Sequence, residues 1–359
     1  MSTNATLIEL KSMAWETPRF TKGRVDAAGH SLAYEPLLAE EYDEHLSVIN
    51  NWRSSHAYPL QCFKTVLWRR AKLIDSNALI AQRLKRLPSI YAKLQRFGHM
   101  QLSQMQDIGG CRAVVGTARQ VDQLVQLYEA SSSRYLKVKL FDYIKSPKVD
   151  GYRGVHLVYK YRSVSKMREV YNGFRIEIQL RSRLQHAWAT AVETASTFTG
   201  QALKSNVGSD NWKRFFALMG SAIALRENQP IVPGITNKRE EMIREILTLS
   251  YELKVESVLE RWGLAINYVS QHTADAYAFL LELDPHASRI RVTGFRKDQL
   301  GKASEEYLKA EQAAARIPAA QAVLVSVKSV QSLKSAYPNY YLDSKHFLEA
   351  MRIAIATKL

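Results

Sequence analysis

The sequence predicts an α+β protein in which helices pack against a mixed β-sheet. Apolar and polar residues alternate in 155–159 and again in 174–180, a pattern typical of half-buried strands. Apolar residues recur at helical spacing from Tyr34 to Arg83. Between these regions the residue pattern indicates a strand, a helix and another strand, an order that favours helices packed on a mixed sheet.

The N-terminal third is predicted to be mainly helical. Residues 1–33 are polar and basic with scattered proline and glycine, which indicates an arm or a set of short turns. The helical spacing in 34–83 is interrupted near Pro59 and therefore predicts two helices. Pro88 suits the first turn of a helix that begins near Ser89.

The central segment supplies the predicted sheet. The apolar run 111–115 follows two glycines and indicates a buried strand. A hairpin is the simplest interpretation of the two alternating stretches, because the residues between them are polar. The predicted elements are a strand at 111–115, a helix at 120–131, a strand at 135–141, and hairpin strands at 155–159 and 174–180.

The C-terminal half is predicted to be helical first and mixed afterwards. Residues 229–234 carry two prolines and a glycine and form a candidate linker. The other predicted elements are helices from 185, over 212–225 and over 238–268, a strand at 289–292, a helix at 302–316, a strand at 322–327 and a final helix at 343–356. Asp343 or Ser344 is the expected cap of that last helix.

Positive charge is concentrated in the first two thirds of the chain. The 359 residues contain 50 Lys and Arg against 34 Asp and Glu, a net charge of +16. Residues 238–359 contain 17 basic and 15 acidic residues, so the preceding part has 50 − 17 = 33 against 34 − 15 = 19, or +14. A nucleotide pocket needs few cations, whereas such an excess suits a polyanion such as RNA.

Cysteine usage and hydropathy exclude several classes of protein. Only Cys62 and Cys111 occur, which excludes a disulfide framework and a cysteine-based zinc site. The apolar stretch 215–225 is too short to span a bilayer, and the N-terminus lacks the apolar core of a signal peptide. We therefore expect a cytoplasmic protein that has no membrane partner.

Two carboxylates lie in patterns that suit phosphate chemistry. Glu177 shares one face of its predicted strand with Arg175 and Arg181, so its carboxylate is expected to stay ionised. Asp107 precedes the paired glycines before the strand at 111–115. Taken alone, Glu177 could be an ordinary solvent-facing residue and Asp107 a turn residue.

Four short motifs follow one another in the chain: Arg83–Lys85 with Ser89 and Lys93, Asp107–Arg112, Gly151–His156 and Glu177–Arg181. Their order resembles that in RelA/SpoT-type nucleotide pyrophosphokinases. Family members of this kind move the terminal pyrophosphate of ATP onto a ribose hydroxyl. The resemblance covers about 120 residues and implies a RelA/SpoT synthetase, nucleotidyltransferase-like fold.

The resemblance implies a role for each of these residues on the ATP side. Arg83 and Arg112 are expected to hold the adenine between them, and Asp107 and Glu177 are the expected catalytic residues and Mg²⁺ ligands. Hard oxygen ligands suit a magnesium ion that bridges ATP phosphates. The remaining expected contacts with ATP come from Lys85, Ser89, Lys93, Arg181 and His186, of which the last two contact the transferred pyrophosphate.

On the acceptor side, the resemblance implies that the ring of Tyr152 stacks on the acceptor base. Gly151 beside it is expected to leave that ring accessible. The further expected acceptor contacts are Lys145, Lys148, Arg153 and His156, although a single histidine in a strand is commonly structural.

Tyr337 and Tyr340 are spaced as a Tyr-x-x-Tyr element about 20 residues from the C-terminal end of the sequence. With this element the C-terminal region resembles that of CapRel-like fused toxin–antitoxins of the RelA/SpoT family of toxic small alarmone synthetases, which inhibit themselves through such an element. The resemblance implies a small α/β zinc-finger-like domain that lacks zinc and covers the ATP site. The expected domains are 1–228 (transferase toxin), 229–284 (linker and connecting helices) and 285–359 (regulatory, phage-sensing).

The functional hypothesis is an autoinhibited pyrophosphokinase of phage defence. It would transfer pyrophosphate from ATP to the 3′ CCA end of tRNA and stop translation after a phage protein, such as a major capsid protein, binds the C-terminal domain. The alternative is a ribosome-independent (p)ppGpp synthetase that uses GDP or GTP. A third hypothesis is a catalytically silent RNA-binding regulator that retains the fold.

Overall fold

The computed structural model describes residues 15–356 except 37, 132–134, 203–208, 273–275, 285–288, 315–316, 318–319 and 327–339. The strands are β1 (Leu79–Leu84), β2 (Gly109–Val115), β3 (Leu136–Asp142), β4 (Val155–Lys160), β5 (Arg175–Ser182), β6 (Ala278–Asp284), β7 (Arg289–Phe295) and β8 (Gln321–Ser326). The helices are α1 (Lys22–Tyr34), α2 (Ala39–Ser55), α3 (Ala57–Ile74), α4 (Leu87–Arg96), α5 (Ala118–Ala130), α6 (Arg183–Ala202), α7 (Ser209–Arg226), α8 (Arg239–Glu252), α9 (Val255–Gln271), α10 (Leu300–Ala314) and α11 (Tyr340–Ala356).

The first five strands form one sheet in the order β1-β2-β5-β4-β3. The alternating stretches of the sequence became the neighbours β4 and β5, and backbone hydrogen bonds between Tyr161 and Phe174 (2.8 Å) and between Gly173 and Tyr161 (2.9 Å) close the connection between them. The predicted hairpin is therefore present. The α+β class with a mixed sheet flanked by helices is confirmed.

Two predictions for the N-terminal third were wrong. Residues 22–34 form α1, which buries Val25 and Ala28 and is capped by the Thr21 side chain, so this part is not an arm. Residues 79–84 are the edge strand β1 and not the end of a helix. Between α1 and β1 the chain forms two helices as expected, and the break between them falls at His56, with Pro59 inside the first turn of α3.

The chain divides into two compact units. The first contains described residues of 1–113, 126–140 and 156–179. Its buried apolar side chains come from helices and strands alike, and aromatic rings are prominent among them: Phe63 packs against Tyr135 with ring centroids 4.3 Å apart, and His56 against Phe174 at 4.5 Å. This packing fixes α3 on the strands of the first unit.

The second unit contains described residues of 114–125, 141–155 and 180–359. Its main hydrophobic cluster joins α6, α7, α8, α9 and α11. Phe347 of α11 is fully buried and lies 5.8 Å from Phe216 of α7, measured between ring centroids. The cluster also contains Trp262 of α9. Helix α11 is therefore an integral part of this core.

A three-stranded antiparallel sheet, in the order β7-β6-β8, packs on the same unit. The central strand β6 is apolar on both faces. Phe279 and Leu281 belong to the main cluster, whereas Leu280 packs in a second cluster with Phe295 and Ala303. This strand was not predicted, because a continuous apolar run carries no alternation.

The long helix predicted over 238–268 is two helices, α8 and α9. They are separated at Lys254, which has φ +48° and ψ 41° in the left-handed region. No glycine or proline marks this break in the sequence. The last helix begins at Tyr340, so Asp343 lies in its first turn and the expected cap at Asp343 or Ser344 was wrong.

The predicted domain boundary after residue 284 falls between β6 and β7, which pair with each other from Ala278↔Phe295 to Asp284↔Arg289. The predicted linker residues 229–234 include the buried Val232. Across the part of the chain that the structure describes, no helix combines the length and the apolar character needed to cross a membrane.

Candidate active site

Asp107 is held between two lysines in the first unit. It precedes β2, and Lys85 follows β1; the backbone N–H of Lys85 donates to the carbonyl of Ile108 at 2.7 Å, which aligns the two segments. The Nζ of Lys85 lies 2.8 Å from Oδ2 of Asp107, and the Nζ of Lys93, on α4, lies 2.9 Å from Oδ1. One carboxylate thus faces two cations.

These cations set the charge of Asp107. Burial alone would raise the pKa of this carboxyl, but the charges and hydrogen bonds of Lys85 and Lys93 outweigh burial and hold the pKa below its ordinary value. Asp107 is therefore ionised at neutral pH. A buried carboxylate with two ammonium partners is suited to a site that exchanges those partners for a divalent cation and phosphate groups.

Glu177 on β5 is the second ionised carboxylate of the first unit. Its Oε1 lies 2.9 Å from Nδ1 of His156, and its Oε2 accepts a hydrogen bond from Nε2 of Gln179 at 2.7 Å. Burial raises the pKa of Glu177, and the charge of Asp107 raises it further. The contacts with His156 and Gln179 outweigh both, so the pKa lies below its ordinary value.

The donor chemistry of this pair fits Mg²⁺. Both residues present ionised carboxylate oxygens, the ligands that magnesium prefers, and the pKa of Glu177 responds to the charge of Asp107. Among the described residues no group of three or more His, Cys, Asp or Glu side chains could hold a metal by itself. The remaining ligands would have to come from water and substrate phosphates, as is usual for magnesium.

Three further residues predicted to bind ATP, namely Arg83, Ser89 and Arg112, also lie in the first unit. Arg83 is exposed on β1, and Arg112 is partly buried on β2, the neighbouring strand. Ser89 lies in the first turn of α4, which begins at Leu87, close to Ser89 and with Pro88 in its first turn as expected. The sheet order therefore puts the two arginines on adjacent strands.

Tyr152 is the centre of an aromatic and cationic cluster in the second unit. Its ring meets that of Tyr143 edge to face, with centroids 5.8 Å apart, and Tyr143 stacks on Phe141 at 5.8 Å. The Nζ of Lys148 lies 4.4 Å from the Tyr143 ring and 5.1 Å from the Tyr152 ring. Rings of this kind can stack on a base while the lysine faces a phosphate.

Arg181 fixes the orientation of Tyr152. Its Nη2 donates to the Tyr152 hydroxyl at 2.9 Å, and its Cζ lies 5.2 Å from the ring centroid. Arg181 is 6% exposed. The tyrosine ring is therefore held in place by a buried guanidinium group.

The backbone conformation at position 151 and the close neighbouring atoms require a glycine there. Access to the Tyr152 ring is not the reason for it. Its φ is +92°, and a Cβ there would lie 2.8 Å from the carbonyl oxygen of Phe216. Gly220 on α7 approaches it so closely that a Cβ on Gly220 would lie 2.7 Å from the Gly151 oxygen. The loop is thus pressed directly onto α7.

Arg153 is buried among carbonyl groups. It donates to the backbone oxygens of Gly220 and Ile144, each at 3.2 Å, and to that of Pro230. Burial lowers its pKa to about 10, against the opposing charge of Glu227, so the guanidinium group stays charged at neutral pH. In this structure Arg153 ties the central loop to α7, and its expected contact with an acceptor remains a prediction.

Two further residues predicted to bind the acceptor differ in their surroundings. Lys145 is exposed and lies 3.6 Å from Oδ2 of Asp142. His156 contacts Glu177, as described above, so in this structure it positions a carboxylate. Gln179 and Tyr143 were not among the predicted site residues. Their closeness in the chain to Glu177 and Tyr152 was the signal that could have indicated them.

His186 contacts the C-terminal helix. Its Nε2 lies 3.3 Å from Oδ2 of Asp343 on α11, and both side chains are at least nine-tenths buried. Tyr337 lies outside the described residues. Tyr340 is the first residue of α11, and its side chain lies outside what the structure describes. Asp343 is thus the described contact between the C-terminal region and a residue predicted to bind ATP.

Comparison with known proteins identifies the region that carries these residues. The family model described as "Region found in RelA / SpoT proteins" matches residues 82–201. All residues predicted for magnesium, ATP and acceptor binding fall in that range. The match supports the predicted enzyme class, an ATP-dependent pyrophosphotransferase. A search of curated proteins found no match.

Solved structures similar to this chain include small alarmone synthetase 1 from Bacillus subtilis bound to its product pppGpp (22% identity, 50% of this chain and 94% of that chain, TM-score 0.43). Small alarmone synthetase 2 from Bacillus subtilis is similar at 22% identity, 49% and 94% coverage and a TM-score of 0.41. A GTP pyrophosphokinase family protein from Streptococcus pneumoniae is similar at 22% identity, with 53% of this chain and 90% of that chain covered and a TM-score of 0.37. The family match shows that the chain contains, at residues 82–201, a region of the kind found in RelA / SpoT proteins.

Proposed function

We propose that the protein transfers pyrophosphate from ATP to the ribose hydroxyl at the 3′ CCA end of tRNA. The observation that carries this proposal is the pair of ionised carboxylates within the RelA/SpoT region: Asp107 between Lys85 and Lys93, and Glu177 between His156 and Gln179. Separate cations and carboxylates of this kind are what phosphoryl-type transfer needs, since positioning and charge neutralisation dominate its catalysis.

In the proposed reaction the acceptor oxygen attacks the β-phosphorus of ATP, the bond from that phosphorus to the bridging oxygen of the α-phosphate breaks, and AMP leaves. Asp107 and Glu177 would hold Mg²⁺, which supplies neutralisation of phosphate charge. Lys85 and Lys93 would turn from Asp107 toward the phosphates as ATP binds. Glu177 would take up the hydroxyl proton.

Two features support tRNA as the acceptor. The excess of +14 charges before residue 238 favours a polyanion over a single nucleotide. The Tyr152 ring, held by Arg181 and flanked by Lys148, offers a stacking surface for an unpaired terminal base beside a phosphate-binding cation. Stacking of a base on an aromatic ring is worth about 1–3 kcal/mol.

A guanine nucleotide is the second candidate acceptor. The same Tyr152 ring accepts any purine face, and Lys148 with Lys145 would reach the phosphates of GDP or GTP. This candidate makes the protein a (p)ppGpp synthetase. It needs no RNA surface, so the two candidates differ in their dependence on salt and on basic residues outside the site.

We further propose that the C-terminal region, 285–359, inhibits the enzyme and that a phage protein such as a major capsid protein releases it. The contact of Asp343 with His186 and the burial of Phe347 in the main cluster support a resting state restrained by α11. The partner would act by binding the released state more tightly than the restrained one. The zinc-finger-like identity of this region is part of the same proposal.

Deleting the C-terminal region is a poor test of this regulation. Phe347, Leu348 and Met351 of α11 are buried in the main cluster. Burial of each such side chain is worth about 1.5–3 kcal/mol, so removing all three costs roughly 5–9 kcal/mol, comparable with the whole stability of a domain. Point variants of the full chain are therefore required.

The acceptor is tested with ATP labelled on its terminal phosphates and with deacylated tRNA, GDP and GTP offered separately to the full chain. Label in tRNA, lost in Glu177→Gln and reduced in Tyr152→Ala, is the expected result. Label only in guanine nucleotides would establish the second candidate. Binding of tRNA without any transfer of label, unchanged by Glu177→Gln, would show a silent RNA-binding protein and overturn both.

A further inference from the structure

A cationic cavity lies in the second unit, and none of the residues predicted for the transfer reaction lines it. Its volume is about 500 Å³, within the range of about 300–1,000 Å³ that is usual for small-ligand sites. Three arginines from three helices line it, namely Arg119 of α5, Arg183 of α6 and Arg226 of α7, and α11 adds His346. The cavity therefore has cations on several sides.

Two capping boxes position the first two arginines. At the start of α5 the Thr117 hydroxyl accepts from the N–H of Gln120 (3.2 Å), and the Gln120 side chain accepts from the N–H of Thr117 (3.0 Å). At the start of α6, Ser182 and Gln185 form the same reciprocal pair, each bond 3.1 Å long. Such boxes fix the first turn of a helix, and Arg183 lies in one of these turns.

Glu227 positions the third arginine. Its Oε2 accepts from Nε2 of Gln185 at 2.8 Å, which joins the end of α7 to the start of α6. Arg226 is the last residue of α7 and precedes Glu227 directly. The Glu227 carboxylate is thus committed to the scaffold of the cavity, while the neighbouring guanidinium group remains exposed.

The arginines are available to a ligand. Among the residues that the structure describes, no carboxylate lies within ion-pair distance of any of the three guanidinium groups. All three side chains are exposed. Glu349 of α11 is the other acidic residue in the lining. The charge of Arg226 also acts on the neighbouring Glu227. The planar forks of the three arginines match phosphate oxygens in a bidentate manner.

We propose that this cavity binds the phosphate chain of a free nucleotide. A chain of two or three phosphates carries several negative charges within a few bonds, and this density matches three guanidinium groups around one cavity. A ligand bound there would contact α6, α7 and, through His346, α11. This binding is independent of the proposed transfer activity, because none of the residues assigned to the transfer reaction lines the cavity.

The cavity is tested by isothermal titration calorimetry of the full chain with inorganic triphosphate. A background Lys93→Gln substitution lowers any binding of the probe at the lysines around Asp107. Arg183→Gln and Arg226→Gln are each expected to raise the dissociation constant for triphosphate about tenfold, since a charge-assisted hydrogen bond is lost. Arg244→Gln, an exposed arginine of α8 outside the cavity, is the matched control and is expected to change nothing.

A variant that is expected to strengthen triphosphate binding complements the arginine variants. Glu349→Gln removes a negative charge from the lining, so triphosphate is expected to bind more tightly, by up to about fivefold. Titrations with GTP and with a short RNA that lacks a terminal phosphate distinguish a free nucleotide from an RNA backbone. Melting temperatures show that each variant is folded.

Several outcomes would overturn the proposal. These are no binding of triphosphate at millimolar concentration, binding that Arg183→Gln and Arg226→Gln leave unchanged, and weaker binding in Glu349→Gln. Binding of the RNA or of an acidic peptide in place of triphosphate and GTP would likewise assign the cavity to another ligand.

Discussion

His186 and Asp343 form a buried contact, Nε2 to Oδ2 at 3.3 Å, between α6 of the RelA/SpoT region and the helix α11. If α11 restrains the enzyme, Asp343→Ala is expected to raise pyrophosphate transfer about two- to fivefold, because one ion-pair-type contact worth about 0.5–1 kcal/mol is lost. Initial rates of label transfer measure this effect. Lys345→Ala, an exposed position on the same helix, is the control. An unchanged or lower rate in a folded Asp343→Ala protein would contradict the restraint.

Lys93 contributes one of the two cations at Asp107. Lys93→Gln is expected to lower the rate of transfer at least about a hundredfold, since removal of one preorganised charge contact at a phosphate commonly costs that much. Single-turnover rates with saturating acceptor measure it. Arg96→Gln, on the same helix α4, is the matched removal of a cation that has no contact with Asp107. A similar loss in both variants would show a general charge effect and not a specific role of Lys93.

His156 keeps the pKa of Glu177 low, so His156→Leu is expected to raise that pKa. The acid limb of the pH–rate profile should then move to higher pH, because Glu177 would become protonated earlier as the pH falls. The native contacts of Glu177 stabilise the fold above its ordinary pKa of 4.5, and this contribution is lost as the pH falls through the lower folded value. An acid limb that does not move in His156→Leu would exclude control of Glu177 by this histidine.

His56 makes the first unit sensitive to acid. Its ring is fully buried, its Nδ1 lies 2.8 Å from the carbonyl oxygen of Trp52, and burial lowers its pKa from 6.5 to about 4. The unfolded chain therefore binds a proton between these two values and the folded chain does not, so stability decreases as the pH falls from 6.5 to 4. The loss is up to about 3 kcal/mol. Melting of wild type and His56→Gln should converge at low pH; equal pH dependence in both would refute this role.

The alternating strands were accessible from the sequence. The pattern of 174–180 placed Ile176 and Ile178 on one face and Glu177 on the other, and in β5 the two isoleucines are buried while Glu177 is partly buried. Such a pattern is local, and the physical reason for it, burial of one face of a sheet, acts on residues two positions apart. The RelA/SpoT region was found for the same reason, since its motifs are short and contiguous.

The misread elements depended on distant contacts. Residues 79–84 form a strand because β2 lies beside them, and 278–284 form one because β7 and β8 pair with both edges. At the break, Lys254 adopts the left-handed conformation, which is unfavourable in free energy for a residue other than glycine. The packing of α8 and α9 offsets this cost. The partner of His186 and two of the three acceptors of Arg153 lie far away in the chain, so no pattern of neighbouring residues could indicate them.

Helix α11 packs against helices that are translated before it, and this order has a consequence during synthesis of the protein on the ribosome. After the ribosome completes α9 at Gln271, 340 − 271 = 69 further residues are translated up to Tyr340, the first residue of α11. At about 5–20 residues per second this delay lasts roughly 3–14 s. For that time the nascent chain displays the aromatic surface around Phe215 and Phe216 that Phe347 later covers. If α11 restrains the enzyme as proposed, chaperones and the speed of translation can act on this aromatic surface before the restraint forms.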